Sequence, residues 1–154
     1  MTINRSFPQV RKQFSSGAAA AMIAASVGAC TSSPSASPAG TLPPGTAKVT
    51  VNDRGLSETT AVQCTRIGSL TTISIGHAAA GVTALVSNQN ALTGKSVSIN
   101  DLGGFTGSYM EGLGGKTQVT MTGETYTIRG SAEGFDTANP SRRATGTFII
   151  QVAC

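Results

Sequence analysis

From Ala47 to Cys154 apolar residues recur at every second position in short runs. They are Val49 and Val51, Val62 and Cys64, Ile73 and Ile75, Val97 and Ile99, Val119 and Met121, Tyr126 and Ile128, then Phe148, Ile150 and Val152. A period of two with one apolar parity predicts strands that turn one face to a core and the other to water. No 3.6-residue pattern is sustained, and glycine and asparagine separate the runs. Eight or nine strands are expected, and their close spacing implies a small antiparallel β-sandwich or open barrel over residues 47–154. Thr122-Gly123 reads as a tight hairpin turn, Asn52-Asp53-Arg54-Gly55 as a longer one, and Asn139-Pro140 as a turn initiator. The segment from His77 to Asn90 supports either class, because Ala78-Ala79-Ala80 favours helix while Gly81, Val82 and Thr83 oppose it.

The first third of the chain is built differently. A basic start (Arg5, Arg11, Lys12) leads into small and apolar residues from Gly17 to Ala29, ending in Val27-Gly28-Ala29-Cys30. This is the order of an export signal: charged region, apolar stretch, small-residue cleavage site. The apolar stretch falls short of the roughly 20 residues that cross a bilayer core, so residues 1–29 read as a cleaved address and not as a span. A cysteine directly after the cut can carry a diacylglyceryl group on its thiol, which makes Cys30 the expected lipidation site. The chain is then exported and lipid-anchored on the extracytoplasmic face of the cell membrane.

Residues 30–46 read as a tether. From Thr31 to Thr46 every residue but Leu42 is Ser, Thr, Pro, Gly or Ala, a composition that buries too little apolar surface to offset its ordering entropy. Polyproline-like spacing would let it reach at most roughly 50 Å. Thr31, Ser32, Ser33, Ser35, Ser37, Thr41 and Thr46 are candidate O-glycosylation sites on the same compositional ground.

Losing the signal changes the charge. The chain has eleven Lys and Arg residues against seven Asp and Glu. Three of the basic residues leave with the signal and all the acidic ones stay, so eight face seven and the mature chain carries +1. No basic cluster alternates with aromatics, which excludes the footprint of nucleic-acid binding. The adjacent pair Arg142-Arg143 reads as a solvated loop.

Catalytic chemistry finds no foothold in the pattern. His77 is the only histidine and reads as a surface or turn residue, no CxxC or HxxxH spacing is present, and there is no G-x-S-x-G elbow. Gly112-Leu113-Gly114-Gly115-Lys116-Thr117 ends like a phosphate loop but lacks its first glycine, so a hairpin or bulge connection is expected. Asp101, Glu111, Glu124, Glu133 and Asp136 fall near turns, where solvated charge is the default. No catalytic residue, metal or cofactor is expected.

Cys64 continues the alternation of Val62, and Cys154 that of Ile150 and Val152, so both thiols should stand on the core side of their strands. In an exported protein such a pair is expected to oxidise, with two buried free thiols as the alternative. A bridge would close a loop of about 90 residues, worth roughly 4 to 5 kcal/mol in the chain-entropy treatment.

Longer stretches carry a resemblance. Thr72-Ile73-Ser74-Ile75-Gly76, Lys95-Ser96-Val97-Ser98-Ile99, the run from Tyr126 through Gly134-Phe135-Asp136-Thr137-Ala138-Asn139-Pro140, and Phe148-Ile149-Ile150-Gln151-Val152-Ala153-Cys154 resemble the mycobacterial nineteen-kilodalton lipoprotein antigen family. The resemblance implies an acylated envelope protein, a bridge between Cys64 and Cys154, O-glycosylation in the linker and recognition by host innate receptors through the acyl chains. It implies no catalytic residue. The expected function is that of a non-enzymatic, monomeric surface antigen and adhesion or interaction module, with a host receptor or envelope glycan as partner. The rival is a carrier of lipid or glycolipid, which a domain this small has little interior to support.

Overall fold

A computed structural model describes residues 38–154. Every regular element in them is a strand: β1 (Ala47–Val51), β2 (Arg54–Gly55), β3 (Val62–Ile67), β4 (Leu70–Gly76), β5 (Gly81–Ser87), β6 (Thr93–Leu102), β7 (Phe105–Met110), β8 (Thr117–Thr122), β9 (Thr125–Asp136) and β10 (Asn139–Ala153). They form one antiparallel sheet in the order β2-β1-β10-β9-β7-β6-β5-β4-β3, with β8 paired to β9 beside that path. The sheet is folded over and not closed into a barrel. An isolated bridge from Ala47 to Thr59 and a disulfide from Cys64 to Cys154 tie the β3 end across to β1 and β10.

The expected all-β antiparallel architecture is present, with ten strands in place of eight or nine. The additional elements lack the apolar repeat that betrays a strand. β2 is two residues long and exposed. β7 reads Phe-Thr-Gly-Ser-Tyr-Met, so its inward parity passes through Gly107 between Phe105 and Tyr109. The ambiguous stretch resolves as a turn at His77–Ala80, closed by His77 and Ala80 exchanging backbone bonds of 3.0 and 3.1 Å, followed by β5. Helix propensity in three alanines yields here to the pairing of Val82 with Ile75 and Ile99 on its two flanks.

Two turns differ from expectation. Val51 pairs directly with Arg54, which makes Asn52-Asp53 a two-residue hairpin turn with φ of 49° and 60°, the left-handed pair that a primed turn requires. Between β9 and β10 the turn is Thr137-Ala138, where Asp136 Oδ1 accepts from the Ala138 amide at 2.8 Å. Asn139 and Pro140 belong instead to the first residues of β10, in an irregularity between Asn139 and Arg143 that spares the proline a ladder bond it cannot donate. Thr122-Gly123 is part of the β8–β9 hairpin as expected, since Thr122 pairs with Thr125. Arg142-Arg143 is exposed but lies on that irregular start of β10, not in a loop.

The core fills the fold of the sheet. Val51, Ile73, Val97, Ile99, Phe105, Ile128, Phe148, Ile150 and Val152 are each at most 1% exposed. Along β9 and β10 the inward parity continues beyond the apolar run as Gly130, Ala132 and Gly134, and as Ala144 and Gly146. At two of those positions a ring lies over the glycine: a methyl at Gly146 would stand 2.7 Å from the Phe105 ring, and one at Gly130 would stand 2.8 Å from Phe148, while at Gly134 the neighbouring β7 backbone leaves no room for one.

Candidate functional site

The chain leading into β1 is bonded to the end of the domain where β9 begins and β10 finishes. Thr41 donates its hydroxyl to the Pro38 carbonyl at 2.7 Å, and the Leu42 amide donates to Thr125 Oγ1 at 3.0 Å. Gly45 donates to the Ala153 carbonyl at 2.9 Å, and the Ala153 amide returns a bond to the Thr46 carbonyl at 3.0 Å. These bonds run β1 and β10 on past their ends, so the ordered domain begins before Ala47. Residues 42–46 are therefore part of the folded unit. The Ser/Pro composition that reads as tether is overridden there by backbone pairing to the last strand.

Thr46 illustrates the consequence. Its side chain is buried and its hydroxyl donates to the Pro43 carbonyl at 2.7 Å. Thr41 is only half-buried. Cys30, Thr31, Ser32, Ser33, Ser35 and Ser37 lie outside the described residues.

Cys64 and Cys154 are bonded, with Cα atoms 5.8 Å apart and 90 residues between them in sequence. The bridge anchors the last residue of the chain, beside the Cys154 amide bond to the Glu124 carbonyl at 3.4 Å, to edge strand β3. Two residues further along β3, Arg66 Nη2 donates to Tyr126 OH at 3.2 Å. Sequence reasoning missed this contact, since the two residues are sixty positions apart, although a buried tyrosine hydroxyl ordinarily has a partner.

The residues considered for chemistry are scattered. His77 sits in the exposed β4–β5 turn. Glu111 pairs with Lys95 at 2.6 Å, Glu133 accepts from the Thr145 hydroxyl at 3.0 Å, and Asp136 caps its own turn. Asp101 and Glu124 are exposed. Among the described residues no three His, Cys, Asp or Glu side chains come together. The Gly112–Thr117 segment is the β7–β8 connection, bridged from Met110 to Gly114, and presents its glycines to solvent and to the Ser131 backbone.

One apolar cleft opens between the β1–β3 region and the β4–β5 turn. It measures about 180 Å³ and is lined by Val49, Leu56, Ile75, Gly81 and Leu102 among others. Its lining comes from four strands, β1, β4, β5 and β6, and from the β2–β3 and β4–β5 connections, which explains why no local pattern in the sequence points to it.

Comparison with known proteins places the chain. A family described as Mycobacterium 19 kDa lipoprotein antigen matches residues 40–154. A putative lipoprotein of Mycobacterium indicus pranii is 39% identical over 140 residues, covering 89% of this chain and 95% of the relative. Lipoprotein LpqH of Mycobacterium avium is 36% identical over 70% of this chain and 67% of the relative. Lipoprotein LpqH of Mycobacterium tuberculosis H37Rv is 35% identical over 70% of this chain and 68% of the relative. The matched region is the strand-built domain with both bridged cysteines, and on that ground the chain belongs to the Mycobacterium 19 kDa lipoprotein antigen family.

Proposed function

We propose that this chain is exported, cut before Cys30 and held on the extracytoplasmic face of the cell membrane by acyl groups on that thiol. Its β domain then serves as a non-enzymatic adhesion or interaction module, with an envelope glycan or host receptor as partner. The observation that carries this reading is an accounting of thiols. The chain has three cysteines, the domain uses Cys64 and Cys154 for its own bridge, and the remaining one stands at the end of a signal-like run in a lipoprotein family. The test is detergent-phase partitioning of the wild type and Cys30→Ala, with an intact mass for each. Wild type should enter the detergent phase carrying a lipid mass and Cys30→Ala should remain aqueous; equal partitioning would sink the anchor.

Two finer expectations follow from the same anchor. Host innate receptors would be engaged through the acyl chains, apart from any adhesion partner of the domain, so Cys30→Ala should lose that stimulus while keeping its fold. Sugars, where attached, would fall on Thr31, Ser32, Ser33, Ser35, Ser37 or Thr41 and not on Thr46, and hexose increments mapped by peptide mass would locate them. The lipid-carrier alternative has less to rest on: the apolar cleft measures about 180 Å³, below the roughly 300–1,000 Å³ of ordinary ligand sites, and two larger clefts of about 360 Å³ include charged and hydroxyl side chains, Asp53, Arg129 and Thr147 in one and Glu133, Ser141 and Arg143 in the other.

A further inference from the structure

The domain exposes six large apolar side chains among its described residues: Ile67, Leu70, Met110, Leu113, Met121 and Ile149. Five of them lie along one rim. Ile67 and Leu70 flank the β3–β4 turn, Met110 ends β7, Leu113 lies in the β7–β8 connection and Met121 is on β8. The pairings place the β3–β4 turn, the start of β6 and the end of β7 at one end of their strands. That end packs along β8, where Gly94 of β6 stands against Thr117 and Val119. The opposite end, with the turns at His77–Ala80 and Gly103-Gly104, carries none of the six.

The same rim receives the N-terminal chain. A methyl at Gly123, two residues after Met121, would lie 3.7 Å from Thr41, and Leu42 is bonded to Thr125 at the start of β9. The β3–β4 turn is close by, since Arg66 reaches Tyr126 OH and Tyr126 is the register partner of Met121. Ile67 and Leu70 pair directly across a two-residue turn, so they share a face at a hairpin tip. Ile67 is 75% exposed, an unfavourable place for so large an apolar side chain unless something covers it.

From these observations we infer that the β3–β4 hairpin tip, with Met121 beside it, rests on the bilayer that holds Cys30. This deepens the anchor reading and rests on it. Eleven residues lie between Cys30 and Leu42, a span of at most roughly 40 Å when fully extended, so the chain that is anchored meets the domain at its apolar rim. A tether of that length holds the tip near the lipid at an effective concentration on the order of millimolar, so a few side chains entering the headgroup boundary suffice to orient the domain without holding it alone. The opposite end, with His77, Asp53 and Asp101 near its turns, then faces outward.

The chain contains no tryptophan, so one introduced at the tip reports without background. The acylated mature protein carrying Ile67→Trp is reconstituted on vesicles of equal parts phosphatidylcholine and phosphatidylglycerol, with a fraction of the lipid brominated on its acyl chains. A second sample carries His77→Trp, and flotation of the vesicles is measured for both. The expected result is co-flotation of both proteins, with about twofold stronger quenching at Ile67→Trp than at His77→Trp, as for a side chain roughly 5–10 Å inside the headgroup boundary. Co-flotation with equal quenching would overturn the tip contact and leave the anchor standing. Absence of flotation would overturn both. A blue shift of the Ile67→Trp emission that grows with protein density on vesicles lacking bromine would give the rim to a second copy of the chain and overturn the lipid contact.

Discussion

Phe105 shows how single positions set the shape of this sheet. Its ring is 1% exposed and lies against the inward faces of Gly107 and Gly146, where an added methyl would stand 2.5 and 2.7 Å from ring carbons. Gly146→Ala should therefore cost about 1–3 kcal/mol through overpacking, read as a lower urea midpoint with an unchanged slope. Ile149→Ala, on the half-open outer face of the same strand, should cost markedly less. Asn52 has a different role: its amide donates to the Thr147 carbonyl at 2.9 Å, and its Oδ1 accepts from the Thr147 amide at 3.0 Å, which continues the β1–β10 ladder by side chain in a left-handed residue. Asn52→Ala should cost about 1–2 kcal/mol, combining a lost hydrogen bond with a disfavoured backbone. Asn52→Gly keeps the backbone conformation and should cost less than Asn52→Ala, and thermal denaturation of the pair separates the two contributions. None of these contacts is legible in the chain. Gly146 makes room for a ring that arrives from another strand, and Gly107 for the same ring from two positions earlier on its own strand.

At the level of elements the governing link is the Cys64–Cys154 bridge, which closes a 90-residue separation. Its removal by paired Cys64→Ser and Cys154→Ser substitutions should lower stability by roughly 4 to 5 kcal/mol in the chain-entropy treatment. Hydrogen exchange should accelerate first in β3 and in the last residues of β10, which are joined through it. Ellman titration of the unreduced, denatured domain from a Cys30→Ala chain should detect no thiol. The pairing of Cys64 with Cys154 was readable, but the expected core-side parity holds only in part: Cys64 is half-buried against the core, whereas Cys154 lies past the end of β10 and is exposed. Seven strands were readable from their apolar alternation. β2, β5 and β7 were not, because β2 is only two exposed residues long, and alanines before β5 and a glycine inside β7 hide the period. The turn at Thr137-Ala138 was displaced from Asn139-Pro140 for a related reason: proline initiates turns locally, but here an irregular strand start accommodates it.

The described domain is one folded-over sheet with a filled interior and with Leu42 to Thr46 bonded to it. An oxidised domain of this kind should unfold in a single transition, with circular dichroism and tyrosine fluorescence changing together. Native mass spectrometry should find the domain without a co-purifying lipid, in keeping with a cleft of about 180 Å³; a stoichiometric lipid adduct in the absence of acylation would count against this. The sequence by itself determined the all-β class, the strands with unbroken alternation, the paired cysteines and the family, since each depends on local period, residue type or collinear similarity. Only the tertiary structure decided that Leu42 to Thr46 belong to the domain, that Thr46 is sealed, and that five exposed apolar side chains share the rim where the N-terminal chain arrives. Those outcomes depend on which distant strands meet when the sheet folds over, and that proximity has no signature in the order of residues along the chain.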